Sequence, residues 1–242
     1  MVGGVIEERR DRVVIGVLNR PEKLNAFDVA QYDAMSDLLD RALDDDRVGA
    51  LVVTGAGRAF SAGADSSLVS GDAGREVMEQ AARAFDRFLE ALGGFEKPLL
   101  AAVNGLAVGI GATLLLHCDV VFAARSARLR FPFTSLGLVP EAGSTHLLPL
   151  IVGPQRAAEW FFSSDWLPAD VLLEAGLVRR VVEDAELVDA TVVRAAELAA
   201  HETSSLRATK RILLDARRDA VIEARRREDE GMRAQARRHR GT

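Results

Sequence analysis

Apolar and polar residues alternate near the start of the chain, where Val13, Ile15 and Val17 stand at every second position. This period is typical of a strand with one buried face. Strands over residues 5–9 and 12–18, joined around Arg10-Asp11, form a predicted hairpin. We expect the hairpin at the edge of a sheet.

The pattern then changes to strands, glycine turns and helices in alternation. Residues 28–43 have helical spacing with Asp28 as N-cap, and the apolar run 48–54 predicts a strand that ends at Gly55-Ala56-Gly57. A similar order follows: helix 81–92, strand 99–103, the turn Asn104-Gly105, helix 109–117 and strand 119–123. This alternation predicts a stacked α/β core whose turns at the strand ends form the functional site.

The last third of the chain has mostly helical patterns. Helices are predicted over 155–162, 169–174, 187–199, 204–214 and 220–237, with a strand over 178–182. We therefore divide the chain into an α/β core, residues 1–185, and a C-terminal helical region, residues 186–242.

Composition excludes several classes of protein. With 242 residues, 48% hydrophobic, the chain can bury one substantial core. No apolar run of about 18 residues predicts a membrane span, and residues 1–10 show no signal-peptide pattern, so we expect a cytoplasmic protein. The net charge of −5 argues against general nucleic-acid binding. The single cysteine, Cys118, cannot form an intrachain disulfide or a thiolate zinc site and is expected in the core. No metal is predicted.

Two glycine-rich turns are candidates for chemistry. Gly55-Ala56-Gly57 and Gly109-Ile110-Gly111 both lack the third glycine of a dinucleotide fingerprint, and Ser61 lacks the context of a nucleophile elbow. Glycine turns can present unpaired backbone N–H groups, and a helix starting near Gly109 adds a positive dipole end. Two such turns facing each other would form an oxyanion hole. From spacing alone this idea is weak, because glycine turns are more often ordinary tight turns.

Three segments together resemble the crotonase, or enoyl-CoA hydratase/isomerase, superfamily. They are Asn19-Arg20-Pro21-Glu22-Lys23-Leu24-Asn25-Ala26, Ala59-Phe60-Ser61-Ala62-Gly63-Ala64-Asp65 and Val103-Asn104-Gly105-Leu106-Ala107-Val108-Gly109-Ile110-Gly111. The resemblance covers nearly the whole chain. It implies a spiral of ββα units with a C-terminal α-helical trimerisation region, and a homotrimer or hexamer.

The resemblance also implies the substrate and its binding residues. The oxyanion-hole donors are the backbone N–H groups of Ala64 and Ile110, although the family usually has glycine at the second position. An acyl-CoA thioester is the expected substrate, so no separate cofactor is predicted. Coenzyme A is expected to contact Lys23 and Leu24 and the segment formed by Ser61, Ala62, Gly63, Ala64 and Asp65, together with Ile110.

Within the resemblance, the reaction depends on where carboxylates stand. The two glutamate positions of hydratases fall on Thr113 and Phe133, which cannot act as bases near neutral pH. The segment Phe131 to Ser144 instead resembles peroxisomal-type Δ3,Δ2-enoyl-CoA isomerases, which implies a single catalytic base at Glu141. The apolar neighbours Leu136, Leu138 and Val139 are expected to desolvate Glu141 and raise its pKa.

The other titratable residues are interpreted as structural. His117 and His146 are expected to be packed or hydrogen-bonded, Asp119 to orient a turn or helix, and Asp65 to fix its loop by accepting backbone N–H bonds. Thr113 is expected simply to pack.

The sequence thus predicts an isomerase that shifts a 3-enoyl-CoA double bond to the 2-trans position through a dienolate, with Glu141 as proton shuttle. The alternatives are enoyl-CoA hydration, another crotonase activity such as thioester hydrolysis, and a non-catalytic acyl-CoA-binding protein. Acyl chain length stays open because it depends on how residues 68–78 and the C-terminal helices pack.

Overall fold

The computed structural model describes residues 4–69 and 74–240. Its strands are β1 (Val5–Arg10), β2 (Val13–Leu18), β3 (Ala50–Gly55), β4 (Ala59–Ser61), β5 (Leu99–Val103), β6 (Leu106–Val108), β7 (Val120–Ala124), β8 (Arg128–Arg130), β9 (Leu167–Pro168) and β10 (Arg180–Val182). Its helices are α1 (Val29–Asp44), α2 (Ser66–Val69), α3 (Arg75–Gly94), α4 (Ile110–Thr113), α5 (Ser144–Val152), α6 (Pro154–Ser163), α7 (Ala169–Glu174), α8 (Leu187–Ala199) and α9 (Thr203–Arg240).

Two sheets form the core, and strands β3 to β8 alternate between them. The six-stranded sheet has the order β1-β2-β3-β5-β7-β10, and the four-stranded sheet has the order β4-β6-β8-β9. Each of β3, β5 and β7 is therefore followed by a short strand in the other sheet. Beyond the β1–β2 hairpin, the six-stranded sheet is parallel. This arrangement is the predicted spiral of ββα units, and the hairpin lies at the sheet edge as predicted.

The central strands are apolar along their whole length because both of their faces are covered. Every residue of β5 is buried, as is all of β3 except Gly55. Helix α1 packs against α3, and α8 packs against β3 and β5. The α1 N-terminus is capped as predicted, since the Asp28 carboxylate accepts the Gln31 N–H at 2.9 Å. These buried elements fix where the turns after β4 and β6 meet.

Side-chain hydrogen bonds hold the corners of the spiral together. The Gly55 N–H donates to Oδ1 of Asn104 at 3.0 Å, and Nδ2 of Asn104 donates to the Gly57 carbonyl at 2.9 Å. The corner between β3 and β4 is thus tied to the corner between β5 and β6. A Cβ at Gly105 would lie 2.2 Å from the Arg58 carbonyl oxygen, so glycine is required for this close approach.

The C-terminal prediction of two helices, 204–214 and 220–237, is wrong, because α9 is continuous. Residues 215–219 interrupt the apolar spacing but contain no Gly or Pro. The ion pair between Arg218 and Asp215, at 2.8 Å, links two side chains one helical turn apart and stabilises the helix across these residues. Helix α3 also begins earlier than predicted, since its first turn is polar.

Three further observations bear on the predicted organisation. In residues 4–69 and 74–240, no helix is long and apolar enough to cross a membrane. Residues 70–73, part of the region expected to set the depth of the acyl pocket, lie outside the described residues. The division of the chain at residue 185 stays a prediction.

Candidate active site

Two glycine turns contact each other at the centre of the spiral. Gly63 follows β4 and Gly109 follows β6, and both have positive φ angles, 95° and 53°. A Cβ added at Gly63 would lie 2.8 Å from the Val108 carbonyl oxygen and 3.8 Å from the Gly109 Cα. The backbones are therefore too close for a side chain between them. The two predicted hole donors, Ala64 and Ile110, each follow one of these glycines.

The backbone pairing of Ala64 leaves its N–H group free. Phe27 forms a parallel bridge with Ala64, in which the Phe27 N–H donates to Gly63 at 2.7 Å and the Asp65 N–H donates to Phe27 at 2.8 Å. In a parallel ladder the paired residue itself directs its N–H to the opposite side. The Ala64 N–H thus points away from Phe27, as an oxyanion-hole donor requires.

The N–H of Ile110 is free because a helix starts there. Ile110 is the first residue of α4, and the Gly109 carbonyl accepts the N–H groups of Ala112 and Thr113, both at 2.8 Å. The first N–H groups of a helix have no acceptor within it. The Ile110 side chain is buried in the core, so this backbone donor is available although the position is not glycine.

Buried polar side chains fix the first turn. The Ser61 hydroxyl donates to the Asn25 carbonyl at 2.8 Å and accepts the Gly63 N–H at 3.2 Å. The Asn25 side chain donates to the carbonyls of Ala56 and Ala59. The hydroxyl of Ser61 thus bonds to backbone groups, and among the described contacts none joins it to a base that would make it a nucleophile.

Glu141 lies next to Thr113, which is fully buried on α4. The Thr113 hydroxyl donates to Oε1 of Glu141 at 2.5 Å. Oε2 of Glu141 is buried and has no hydrogen-bond partner in the part of the chain that the structure describes. Thr113 lies three residues after Ile110, so α4 carries both a predicted hole donor and the residue that binds Glu141. One oxygen is held, and the other is free to accept a proton.

The backbone turns sharply after Glu141. Ala142 and Gly143 have φ angles of 62° and 71°. The Ala142 carbonyl accepts a hydrogen bond from Nε2 of His117 at 2.9 Å, which assigns the proton to Nε2. Burial lowers the pKa of His117 to about 4, so the imidazole is neutral. The prediction that His117 is structural is confirmed.

Burial raises the pKa of Glu141 from 4.5 to about 8. The Thr113 hydrogen bond opposes this change, the nearby carboxylate of Glu228 adds to it, and Arg225 reduces it. The direction agrees with the predicted desolvation, but the neighbours differ. Leu136 is 52% exposed and is not a buried neighbour. A pKa close to neutrality suits a group that must both take and return a proton.

The residues predicted to contact coenzyme A lie in the two glycine turns and in the neighbouring turn at Lys23-Leu24. Leu24 accepts the Ala62 N–H through its carbonyl at 2.9 Å, which places the Lys23-Leu24 turn against the hole segment. Lys23 is exposed there. Asp65 accepts the Ser67 N–H at 3.2 Å, as predicted for a residue that fixes its loop. Coenzyme A binding by these residues stays a prediction.

Other candidates lie away from the reaction. Phe133 is buried and packs against Phe161, so the position holds no carboxylate. Among the described contacts, none joins the His146 ring to Glu141. Asp119 accepts the Leu99 N–H at 2.8 Å and the Lys210 ammonium at 2.5 Å, which ties β5 to α9 in the orienting role predicted for it. No group of metal-ligating side chains occurs within the described residues.

Sequence reasoning missed two residues of the site. The expectation that Thr113 simply packs is wrong, because its hydroxyl binds Glu141. Its place on the helix after Ile110 was the available signal, since three residues return to the same helix face. Tyr32 was also missed. It stacks against Phe27, whose backbone pairs with Ala64; burial raises the pKa of Tyr32, and the charge of Glu141 adds to this.

Comparisons with known proteins agree with this geometry. A family model described as "Enoyl-CoA hydratase/isomerase" matches residues 8–240. The 1,2-epoxyphenylacetyl-CoA isomerase of Escherichia coli (strain K12) is 37% identical over 192 residues, which are 78% of this chain and 73% of that protein. The crotonyl-CoA hydratase of Syntrophomonas wolfei is 35% identical over 76% of this chain and 71% of that protein.

Solved structures of enoyl-CoA hydratases and isomerases are also similar to this chain. The crystal structure of an enoyl-CoA hydratase/isomerase from Pseudoalteromonas atlantica T6c superposes with a TM-score of 0.89 and 38% identity. The match covers 96% of this chain and 91% of that one. The names among these relatives include hydratases and an isomerase, and a particular closeness to peroxisomal isomerases is not among the findings.

Proposed function

This chain belongs to the enoyl-CoA hydratase/isomerase family, and from that premise we propose that it is an acyl-CoA isomerase that converts 3-enoyl-CoA to 2-trans-enoyl-CoA. The observation that carries the proposal is a single carboxylate, Glu141, with one oxygen held by Thr113 and the other buried without a partner. An acyl-CoA thioester substrate follows from the family. The shift of the double bond from C3 to C2 does not follow from the family and is what this proposal adds.

In the proposed reaction, Oε2 of Glu141 removes a proton from C2 of the 3-enoyl thioester. The C2–H electron pair forms a C1=C2 double bond and the carbonyl π pair moves onto the thioester oxygen, which gives a dienolate that still contains the C3=C4 double bond. The N–H groups of Ala64 and Ile110 donate hydrogen bonds to this oxygen, and one such donor contributes roughly 10²–10³ in kcat. The protonated Glu141 then returns the proton to C4 as the 2-trans double bond forms. One base serves both steps because the proton moves along one face of the substrate.

Hydration by two carboxylates has less support. That route needs a second acid or base to hold the water, and the corresponding positions carry Thr113 and Phe133. The Thr113 hydroxyl donates its hydrogen bond to Oε1 of Glu141, and Phe133 is buried against Phe161. Neither can activate water near neutral pH. The relative named 1,2-epoxyphenylacetyl-CoA isomerase is consistent with an isomerase, whereas the relative named crotonyl-CoA hydratase keeps hydration as the alternative.

The proposed pH dependence follows from the state of Glu141. The residue acts as a base only when deprotonated, and its pKa is about 8. We therefore expect kcat/KM to rise as pH increases from 6 through about 8 and then to level off. An unshifted glutamate would give no such rise in this range.

The test supplies purified protein with 3-enoyl-CoA and, separately, with 2-trans-enoyl-CoA. Ultraviolet absorbance of the conjugated thioester reports double-bond migration, and mass spectrometry reports added water. We expect migration from the first substrate and little hydration of the second. Rapid hydration of 2-trans-enoyl-CoA without migration would replace the proposal with a hydratase. Tight coenzyme A binding without turnover would replace it with a non-catalytic binding protein.

We also propose that the protein is a homotrimer or a pair of trimers. Large apolar side chains are exposed on the later helices: Leu150, Phe162, Val193, Ile212, Leu213 and Ile222. Phe162 is 75% exposed, which is unusual for so large an apolar side chain unless another subunit covers it. The molar mass of the protein in solution, measured by light scattering during size-exclusion chromatography, distinguishes a trimer or hexamer from a monomer. Cytoplasmic localisation stays a prediction.

A further inference from the structure

One buried carboxylate connects the C-terminal helix to the turn that carries Glu141. Glu228 lies on α9 and is 6% exposed. Its Oε2 accepts the Gly143 N–H at 2.7 Å, and its Oε1 accepts the N–H and the hydroxyl of Thr145 at 2.9 and 2.7 Å. All three donors lie at the start of α5, within four residues of Glu141.

Glu228 supplies the helix cap that the residues at the start of α5 do not supply. The N-cap residue of α5 is Gly143, which has no side chain to accept the free N–H groups at the helix start. A carboxylate from another helix satisfies them and also interacts favourably with the helix dipole. A Cβ at Gly143 would lie 2.9 Å from Cγ1 of Val221, so α9 also packs tightly on this turn.

The first half of α9 is fixed to the core by other contacts. Lys210 pairs with Asp119 at 2.5 Å, and Arg211 pairs with Glu96 at 2.8 Å. These pairs hold the helix in place but do not touch residues 141–145. The contact of Glu228 is therefore specific to the turn that carries Glu141.

We propose that Glu228 is a positioning residue for the reaction: it holds the turn at residues 141–145 so that Oε2 of Glu141 faces the reacting carbons. The inference rests on the proposed function, because it assigns Glu228 a role through Glu141. Glu228 itself does not touch the substrate.

Electrostatics adds a second effect of the same residue. The groups that face Glu141 from the neighbouring elements are Thr113 on α4, Tyr32 on α1, Arg225 and Glu228 on α9, and, through the Ala142 carbonyl, His117. Burial is the main cause of the raised pKa of Glu141, and the charge of Glu228 raises it further. Removing that charge should make Glu141 a weaker base. A purely structural cap would not have this effect.

The test compares Glu228→Gln with the wild type by two readouts. Carbon-13 NMR of labelled glutamate carboxyl groups gives the titration midpoint of Glu141, identified as the resonance absent from Glu141→Gln. Steady-state kinetics with 3-enoyl-CoA gives kcat against pH. In Glu228→Gln we expect the midpoint and the acid limb of kcat both to move to lower pH. We expect the plateau kcat to fall by about 10- to 100-fold from misplacement of the base.

Glu223→Gln is the matched control, because it removes one negative charge from the same helix. Glu223 pairs with Arg226 and Arg227 at 2.8 and 2.7 Å, away from the turn. The Glu223→Gln variant should leave the titration midpoint of Glu141 and the plateau kcat unchanged. A folded Glu228→Gln variant with the wild-type plateau kcat would overturn the inference, whether or not the midpoint moves.

Glu228→Asp decides the question if Glu228→Gln does not fold. It keeps the charge and shortens the reach, so we expect a lower plateau kcat with the acid limb retained, and a wild-type plateau would overturn the inference. Failure of the proposed function would look different. In that case Glu141→Gln would isomerise at the wild-type rate, while the NMR titration, which needs no turnover, would still test the coupling to Glu228.

Discussion

The proposed oxyanion hole and the proposed base are built from different parts of the chain, and their structural requirements differ accordingly. The hole consists of backbone N–H groups at Ala64 and Ile110, placed by the contact between the turns at Gly63 and Gly109. The base is one side chain, Glu141, on a turn of two left-handed residues. The hole tolerates a change of side chain at its donors, whereas the base depends on groups from separate elements.

This difference has a physical cause. A backbone donor needs only the right path of the main chain, which close packing of the two turns supplies. A carboxylate in a buried site must be oriented and must also have its pKa adjusted, and both depend on neighbouring side chains. Sensitive positions in the hole are therefore its glycines. Sensitive positions around the base are the polar residues that contact its turn.

Among variants that keep Glu141, the largest effect is expected for Gly63→Ala, which disrupts the proposed oxyanion hole. The new Cβ would lie 2.8 Å from the Val108 carbonyl oxygen at a φ of 95°, so the two turns must separate. We expect kcat to fall by roughly 10²–10³, as for loss of a hole donor. Gly93→Ala on α3 is the control, because a Cβ there has nothing within 4 Å. A Gly63→Ala variant with wild-type kcat would contradict the hole assignment.

A smaller effect is expected for Thr113→Val, which keeps the shape and removes the hydrogen bond to Oε1. That bond lowers the pKa of Glu141, so its loss should raise the pKa further. The acid limb of kcat/KM should move to higher pH, and the rate at pH 7 should fall about tenfold. Thr191→Val is the control, since Thr191 is equally buried and donates to the Leu187 carbonyl. A shift of the limb to lower pH would show that Thr113 does not act through Oε1.

The smallest effect is expected for Ile110→Val, which changes the side chain of a hole donor but not its N–H. The residue is buried in the core, so the free energy of unfolding should fall by about 0.5–1.5 kcal/mol. Activity should stay within roughly twofold, since no hole contact is lost. Denaturant unfolding and steady-state kinetics measure the two quantities. A tenfold loss of kcat in a folded variant would mean that the side chain itself shapes the hole.

The same difference explains what the sequence could predict. The apolar strands and the capped helix α1 follow from local periodicity, and they agree with the structure. Glycine spacing pointed to the turns at 55–57 and 109–111, whereas the turn that contacts Gly109 is at Gly63, and Ala64 as a donor came from the family resemblance. The short strands of the second sheet have only two or three residues and no usable period. Helix α5 was missed because its cap, Glu228, lies 85 residues from Gly143 in the chain.

The surroundings of Glu141 were predictable only in part for the same reason. Desolvation by adjacent apolar residues was a local inference, and its direction was right. Leu136 nevertheless points to solvent, and the groups that act on the carboxylate come from α4 and α9. Contacts between elements that are far apart in the chain produce no periodic pattern of apolar residues from which they could be predicted. The place of Thr113 on the helix after Ile110 could be predicted, but its hydrogen bond to Glu141 could not.

The most direct test of the central claim is the rate at which 3-enoyl-CoA loses hydrogen from C2, followed by NMR in heavy water with wild type and Glu141→Gln. If Glu141 is the base, the variant should lose about 10²–10⁴ of this rate and still bind coenzyme A in calorimetry. It should also unfold at least as high in temperature at pH 8, because it replaces a carboxylate whose pKa is raised by burial. Loss of the C2 hydrogen at the wild-type rate in Glu141→Gln would contradict the account.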